Sequence, residues 1–384
     1  RRILVRGDLN VPVHNGAITD TTRLDRLAPT LLELAEKGAK IVVLSHFGRP
    51  KGEVVPELTL RPIAEALSVS LGGRPVAFAD SCIGDGSAAA VDALSDGDVL
   101  LLENLRFHSG EEANAPDFAA ALARLGDAYV NDGFSVSHRA HASTAGIAGR
   151  LPAFAGRGMQ AELEALSAAL ETPRKPVAAL VGGAKVSTKL AVLGHLLDKV
   201  DSLIIGGGMA NTFLFALGTD IGASLCEKDL ADTAREIMAR ADETGCRILL
   251  PQDVVIAAIL QEGAECETVP IAAVPSDRMI LDVGSDSVSS LNAHLADCGT
   301  LLWNGPLGAF EFAPFDLGTN AVARRAAELT GTGNLVSVAG GGDTVAALVH
   351  ADALEQFSYV STAGGAFLEW LEGKELPGVA ALDR

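Results

Sequence analysis

In the first half of the chain, charged and polar side chains recur just after short apolar runs. Asp8 and Asn10 follow ILVRG in GDLNVP, His46 and Arg49 follow IVVLS in SHFGRP, and Arg106 follows DVLLLEN in ENLRFH. His138, Arg139 and His141 follow AYVND in NDGFSVSHRAHAST, and Arg23 stands where the first helical pattern begins. Guanidinium forks hold carboxylate and phosphate bidentately, so Arg23, Arg49, Arg106 and Arg139 brought to one place suit a small ligand with several negative charges. The two histidines of HRAH, spaced i and i+3, could share a helix face as metal ligands, but no cysteine or carboxylate cluster completes a set. His46 and His138 read instead as hydrogen-bond donors to an anion, and His14 and His108 as exposed loop residues.

The second half offers glycines where the first offers cations. GGAKVSTK (182–189), GGGMANTF (206–213) and GGGDTVAAL (340–348) each follow an apolar run. Glycine at a strand-to-helix turn lets a ligand approach the backbone, and the N–H groups of a starting helix attract phosphate. Lys185 and Lys189, four residues apart, are expected to line one helix face and form a polyphosphate cradle with that helix end. Asp343 is the candidate magnesium ligand, since Mg²⁺ in such sites takes few carboxylates and completes its shell with water and phosphate oxygens; the alternative role for Asp343 is a helix N-cap. Neither G-x-x-x-x-G-K-[ST] nor a G-x-G-x-x-G in the first βα turn is present, which excludes a P-loop enzyme and disfavours a dinucleotide dehydrogenase.

Elements must hold these groups together. Strand-like runs at 3–7, 41–45, 75–79, 98–104 and 128–132 alternate with helical patterns such as Leu24, Leu27, Leu31 and Leu34. The second half repeats the alternation at 176–182, 202–208, 247–251, 300–306 and 334–342, with 253–260 and 278–284 as additional strands of a side sheet. Such alternation predicts parallel sheets with helices on both faces, whose ligand crevice lies beyond the carboxyl ends of the strands. A chain of 384 residues exceeds one ordinary core, so two domains are expected. Between them, Pro152, Gly156 and Gly158 break structure before Met159, Leu163, Leu166 and Leu170 mark one face of a helix.

A net charge of −19 argues against nucleic acid as a partner. Five scattered cysteines without CxxC spacing indicate neither a disulfide framework nor a zinc site and fit a reducing cytoplasm. No apolar run is long enough to span a bilayer, and no signal peptide is read. The chain opens on RRILVRG without Met, which suggests that a preceding segment is missing.

Taken in order, RGDLNVP, SHFGRP, ENLRFH, HRAHAST, GGAKVSTK, IIGGGMANTF, WNGPLGAFE, GGGDT and STAGGA make the chain resemble phosphoglycerate kinases over its whole length. The resemblance implies an α/β fold of two doubly wound, Rossmann-like parallel-sheet domains. The first covers 1–156 plus about 373–384, which returns to it; 157–171 is the interdomain helix and 172–372 the nucleotide domain. It also implies that 3-phosphoglycerate or 1,3-bisphosphoglycerate sits on Asp8, Asn10, Arg23, His46, Arg49, Arg106 and Arg139, with His138 nearby. MgADP or MgATP is implied on Gly182, Gly183, Gly207 and Gly208 around the base, Glu311 at the ribose, Asn304 and Pro306 alongside, and Lys185, Lys189, Gly341, Gly342 and Thr344 toward the phosphates, with Asp343 on Mg²⁺. Three positions depart from the family pattern: Gly7 replaces a branched apolar residue, Ser135 a glycine, and Ala363 the first of three glycines.

The reaction so implied is reversible transfer of an acyl phosphate to MgADP in a cleft closed by hinge bending, by a monomer. Its nucleophile in the reverse direction is a carboxylate already ionised at neutral pH, so no general base is needed. Catalysis then rests on in-line positioning and charge neutralisation, expected from Arg23, Lys185 and the N–H groups around Gly364 and Gly365. A two-lobed small-molecule binding protein and a nicotinamide dehydrogenase are the competing readings.

Overall fold

Runs such as IVVL and VAALV are apolar at every position, so both faces of each strand must be covered, as in a parallel sheet between helical layers. The computed structural model describes residues 1–382, and positions 383 and 384 of the expected returning segment lie outside the described residues. Six parallel strands form the first sheet, in the order Val76–Ala79, Val99–Leu102, Lys40–Leu44, Arg2–Arg6, Ala128–Asn131, Ala153–Ala155. Side-chain alternation divides its core in two. Val5, Val43 and Val99 pack with Leu24, Leu27 and Leu31 of the helix Thr22–Glu36, whereas Leu4, Val42 and Leu100 pack with Phe118, Leu122 and Ile147.

A second sheet of six parallel strands has the order Arg247–Leu249, Ser202–Ile205, Val177–Val181, Thr300–Asn304, Val336–Gly340, Tyr359–Ser361. Beside it in sequence lies a three-stranded antiparallel sheet, with Asp253–Ala257 between Cys266–Pro270 and Met279–Val283. The chain divides into two compact units, Arg1–Leu163 with the residues from Glu375 onward, and Glu164–Lys374. The helix Arg157–Leu170 therefore begins in one unit and ends in the other.

Met159, Leu166 and Leu170 of that helix are buried, in keeping with their periodicity. Its first turn is fastened to the first unit: Asp132 Oδ1 accepts the Met159 N–H at 2.9 Å, Thr30 Oγ1 accepts the Arg157 N–H at 2.8 Å, and Arg157 Nε donates to Glu33 Oε2 at 2.6 Å. The returning segment is tied to the same unit, because Gly378 N donates to Ser137 O at 2.8 Å and its carbonyl accepts from Asn131 Nδ2 at 3.0 Å.

Five short strands are not legible in the sequence, two of them the hairpin pair Val13–His14 and Ala17–Ile18. Ala153–Ala155, between Pro152 and Gly156, falls where breakers indicate a linker, yet pairs with Ala128–Asn131. Tyr359–Ser361 is equally short, and Cys266–Pro270 is largely exposed, so neither carries an apolar run. Proline and glycine are tolerated there because an edge strand has a free side.

Candidate active site

In the first unit the predicted residues converge at the carboxyl ends of the strands. The strand Arg2–Arg6 delivers Asp8, which pairs with Arg23 Nη1 at 2.8 Å and accepts the Ser135 hydroxyl. Arg23 Nη1 also donates to the Asn10 carbonyl at 2.8 Å, and Asn10 Oδ1 accepts the Gly48 N–H at 2.9 Å, joining the first two strand ends. Arg106 is 6% exposed and donates to the Gly48 carbonyl at 2.9 Å. Asn104 holds the same loop: its Nδ2 donates to Phe47 O and Leu58 O at 2.7 and 2.9 Å. His46 is buried, His138 is half-buried, and Arg49 and Arg139 are exposed, the Arg139 Nε lying 3.2 Å from His138 Nε2.

Burial acts against the Asp8 carboxylate, but the Arg23 guanidinium, the Ser135 hydroxyl and the Asn10 N–H outweigh it and hold its pKa below the usual value. Burial, with the cation of Arg6 beside it, pushes His46 well below an ordinary histidine. Burial likewise lowers Arg106, against the pull of Glu112. The site is thus a set of permanent guanidinium charges with an ionised Asp8 and a neutral imidazole, an arrangement suited to an anion.

Sequence reasoning missed Arg6 and Glu111, which are 1% and 0% exposed and lie behind this cluster. Arg6 was a legible signal, as the cation that closes the strand Arg2–Arg6 just before Asp8, between two neighbouring strands. HRAH is not helical before Ala142, and among the described residues no group of three potential metal-binding side chains occurs there or elsewhere. His108 is half-buried against Phe118, at 5.2 Å between ring centres, instead of lying free in a loop. Gly7 leaves room for Leu27, whose Cδ2 lies 2.5 Å from where a β-carbon at position 7 would stand.

In the second unit, two adjoining cavities of about 320 Å³ each share Gly183, Ala184 and Asp343. One is apolar and lined by Gly207, Gly208, Leu260, Pro306 and Leu307, with Glu311 also on its wall. The other is polar and lined by Gly182, Lys185, Lys189, Asn304, Gly341, Gly342, Asp343 and Thr344. A flat ring system beside a phosphate chain fits that sequence of walls. Gly182 is required by close approach, because a β-carbon there would lie 1.9 Å from the Pro306 carbonyl oxygen.

The expected pairing of Lys185 and Lys189 on one helix face is corrected by the structure. Lys185 is extended, a 3-10 turn covers Val186–Thr188, and the helix begins only at Leu190. Local bonds divert the chain: Thr188 Oγ1 donates to the Lys185 carbonyl at 2.8 Å, and Ser187 N donates to Glu227 at 3.0 Å. Both lysines still reach the polar cavity. Lys189 donates to Asn304 Oδ1, and its burial lowers its pKa although Asp343 and Glu372 favour the cation. Asn304 Nδ2 donates to the Gly340 carbonyl at 2.7 Å, so this one amide joins two neighbouring strand ends to Lys189.

The N-cap role for Asp343 is also excluded, since Gly341 caps the helix Gly342–His350 and Asp343 lies exposed in its first turn. One free carboxylate at a helix start, beside two lysines, fits a magnesium ion carried mainly on phosphate oxygens. Thr344 is 1% exposed and its Oγ1 accepts the Gly305 N–H at 2.7 Å, which shapes the WNGP turn from behind. Asp282, also at the apolar cavity, is pushed up to about 7 by burial, against the N–H groups of Gly318 and Val283. Ala363 has no positive φ and donates its N–H to Ser361 Oγ at 3.2 Å. The left-handed position is Gly364, φ 51°, at the start of the helix Gly365–Leu371.

The family model of phosphoglycerate kinase matches residues 1–374. A phosphoglycerate kinase of Methylorubrum populi is 62% identical over 382 residues, covering 100% of this chain and 95% of that protein. One of Rhizobium meliloti is 61% identical over 382 residues, covering 100% and 96%. Among solved structures, the phosphoglycerate kinase of Coxiella burnetii superposes with a TM-score of 0.92 at 44% identity, covering 100% of this chain and 96% of that one. A family model spanning nearly every strand end described above, and relatives identical at more than half their positions, lead to one conclusion: the chain belongs to the phosphoglycerate kinase family.

Proposed function

We propose that the chain transfers the acyl phosphate of 1,3-bisphosphoglycerate reversibly to MgADP, giving 3-phosphoglycerate and MgATP. The observation that carries this reading is the pair of adjoining cavities, apolar then polar, that share Asp343. The adenine belongs against Gly207, Gly208, Pro306 and Leu307, the ribose near Glu311, and the phosphates along Lys185, Lys189 and the start of the helix Gly342–His350. Asp343 would hold Mg²⁺, which supplies charge neutralisation on the phosphate oxygens. The acid substrate belongs on Arg23, Arg49, Arg106 and Arg139, with Asp8, Asn10, His46 and His138 fixing its orientation.

The chemistry needs little proton transfer. The acyl oxygen attacks or leaves as a carboxylate, so the work is alignment and neutralisation of the moving phosphoryl group. Arg23 and Lys185 are assigned that role, with the N–H groups of Gly364 and Gly365. Because the two substrates belong to different units, the reaction requires hinge closure, which also keeps water from the acyl phosphate. We further propose that the protein acts as a cytoplasmic monomer. An assay coupling 1,3-bisphosphoglycerate and MgADP to ATP detection tests the reading. ATP formation dependent on both substrates is expected, and a folded sample that binds them without forming ATP is a binding protein instead.

A further inference from the structure

Behind the acid-substrate residues runs a buried chain of hydrogen bonds. Arg6 Nη2 lies 3.1 Å from His46 Nδ1, and Arg6 Nε donates to Ser143 Oγ at 2.9 Å. Ser143 Oγ donates in turn to Glu111 Oε1 at 2.6 Å, and Ser143 N donates to Glu111 Oε2 at 3.0 Å. Arg6, His46, Ser143 and Glu111 are all at most 5% exposed. A guanidinium has five donors, no acceptor and no accessible neutral form, so His46 Nδ1 can only be the acceptor in its bond with Arg6. The ring proton of the neutral imidazole must then be on Nε2.

We infer that Arg6, anchored by Glu111 through Ser143, is a positioning residue that fixes His46 in the Nε2–H tautomer, making it a neutral hydrogen-bond donor to an oxygen of the acid substrate. The inference rests on the assignment of His46 to the acid-substrate site. The charged groups acting on His46 are Arg6, Asp8, Arg106 and Arg23, and burial together with the three guanidiniums disfavours a second ring proton. The anion is thus met by arginines for charge and by His46 for direction. Glu111 touches no substrate; it offsets the buried charge of Arg6 and stops the guanidinium from turning away from the ring. Removing the anchor leaves Arg6 tied only through Nη1 to the Gly7 carbonyl, lets the guanidinium pivot and the imidazole sample both tautomers, and leaves the nucleotide unit untouched.

The first test needs no variant. Long-range ¹H–¹⁵N spectra of the intact protein, with His46 assigned by comparison with His46→Gln, are expected to show an Nε2-protonated neutral ring that persists through pH 6. An Nδ1–H signature, or a ring that protonates like a free histidine, overturns the inference. The second test is Ser143→Ala, which removes the bridging hydroxyl and keeps every charge. The KM for 3-phosphoglycerate is expected to rise roughly two- to tenfold, the scale of one lost buried hydrogen bond, with kcat and the KM for MgATP little changed. In the same variant His46 is expected to show mixed tautomers. An unchanged KM with an unchanged ring spectrum refutes the anchoring role. Absence of activity in the unsubstituted protein would instead refute the proposed function.

Discussion

Replacing Thr344 by Val asks whether the nucleotide cavity is shaped from behind. Thr344 is 1% exposed, and its hydroxyl gives the Gly305 N–H its acceptor at 2.7 Å. Valine keeps the shape and removes the acceptor, and a buried N–H left without one costs about 1–3 kcal/mol. In a unit of about 200 residues this corresponds to a fall in Tm of about 2–12 °C. The WNGP turn can recover its hydration only by moving away from Thr344, so the fraction of molecules holding Pro306 and Leu307 in place falls. Apparent affinity for MgADP falls by that fraction, roughly 5- to 150-fold for the same energy, while saturating nucleotide restores kcat. Calorimetric titration with MgADP and thermal melts with and without nucleotide measure both quantities, with Thr344→Ser as the variant that keeps the bond. A variant with normal Tm but weakened MgADP binding refutes the supporting role and leaves Thr344 a direct phosphate contact.

Arg23→Ala is expected to lower kcat roughly 100- to 1,000-fold, the scale of losing one donor to a developing charge, with MgADP affinity changed less than about twofold; equal losses in both would remove Arg23 from the transfer step. Ser135→Gly removes the hydroxyl that Asp8 accepts. Its kcat/KM for 3-phosphoglycerate should fall by about 1–2 kcal/mol in transition-state terms, with no effect on MgATP, as steady-state kinetics would show. Asp282 adds a pH dependence to the nucleotide unit. Burial raises its folded pKa to about 7, above the ordinary carboxyl value of 3.8, so the folded state holds the proton more tightly. Its contribution to stability is therefore present below pH 4, declines as pH rises from about 4 to about 7, and is gone above that. Denaturant titrations across this range should show a slope that Asp282→Asn abolishes; identical slopes would reject it.

The path of the two main sheets was legible because their central strands carry unbroken apolar runs such as IVVL and VAALV, bounded by turn signals and too short for a buried helix. The strand ends followed, and with them Asp8, His46, Arg106, Lys189 and Asp343. What stayed hidden was of two kinds. Ala153–Ala155 and Tyr359–Ser361 owe their existence to a neighbour's free edge, and a three-residue pattern cannot announce that. Lys185 was misplaced because a four-residue spacing says nothing about whether Ser187 and Thr188 will spend their hydroxyls on Glu227 and the Lys185 carbonyl. Arg6 and Glu111 are separated by more than a hundred residues, and only the fold reveals that one is the other's counter-charge.

The bonds between Gly378 and the pair Asn131 and Ser137 make the first unit discontinuous in sequence. Asn131 is 0% exposed, and its Nδ2 donates to a carbonyl 247 residues downstream. The whole of Glu164–Lys374 is thus inserted between the two pieces of that unit. The loop that presses Ser135 against Asp8 lies between Asn131 and Ser137. A chain truncated before Gly378 should therefore keep its hold on MgADP and grip the acid poorly, which makes the returning segment a latch on one half of the molecule that the other half does not need.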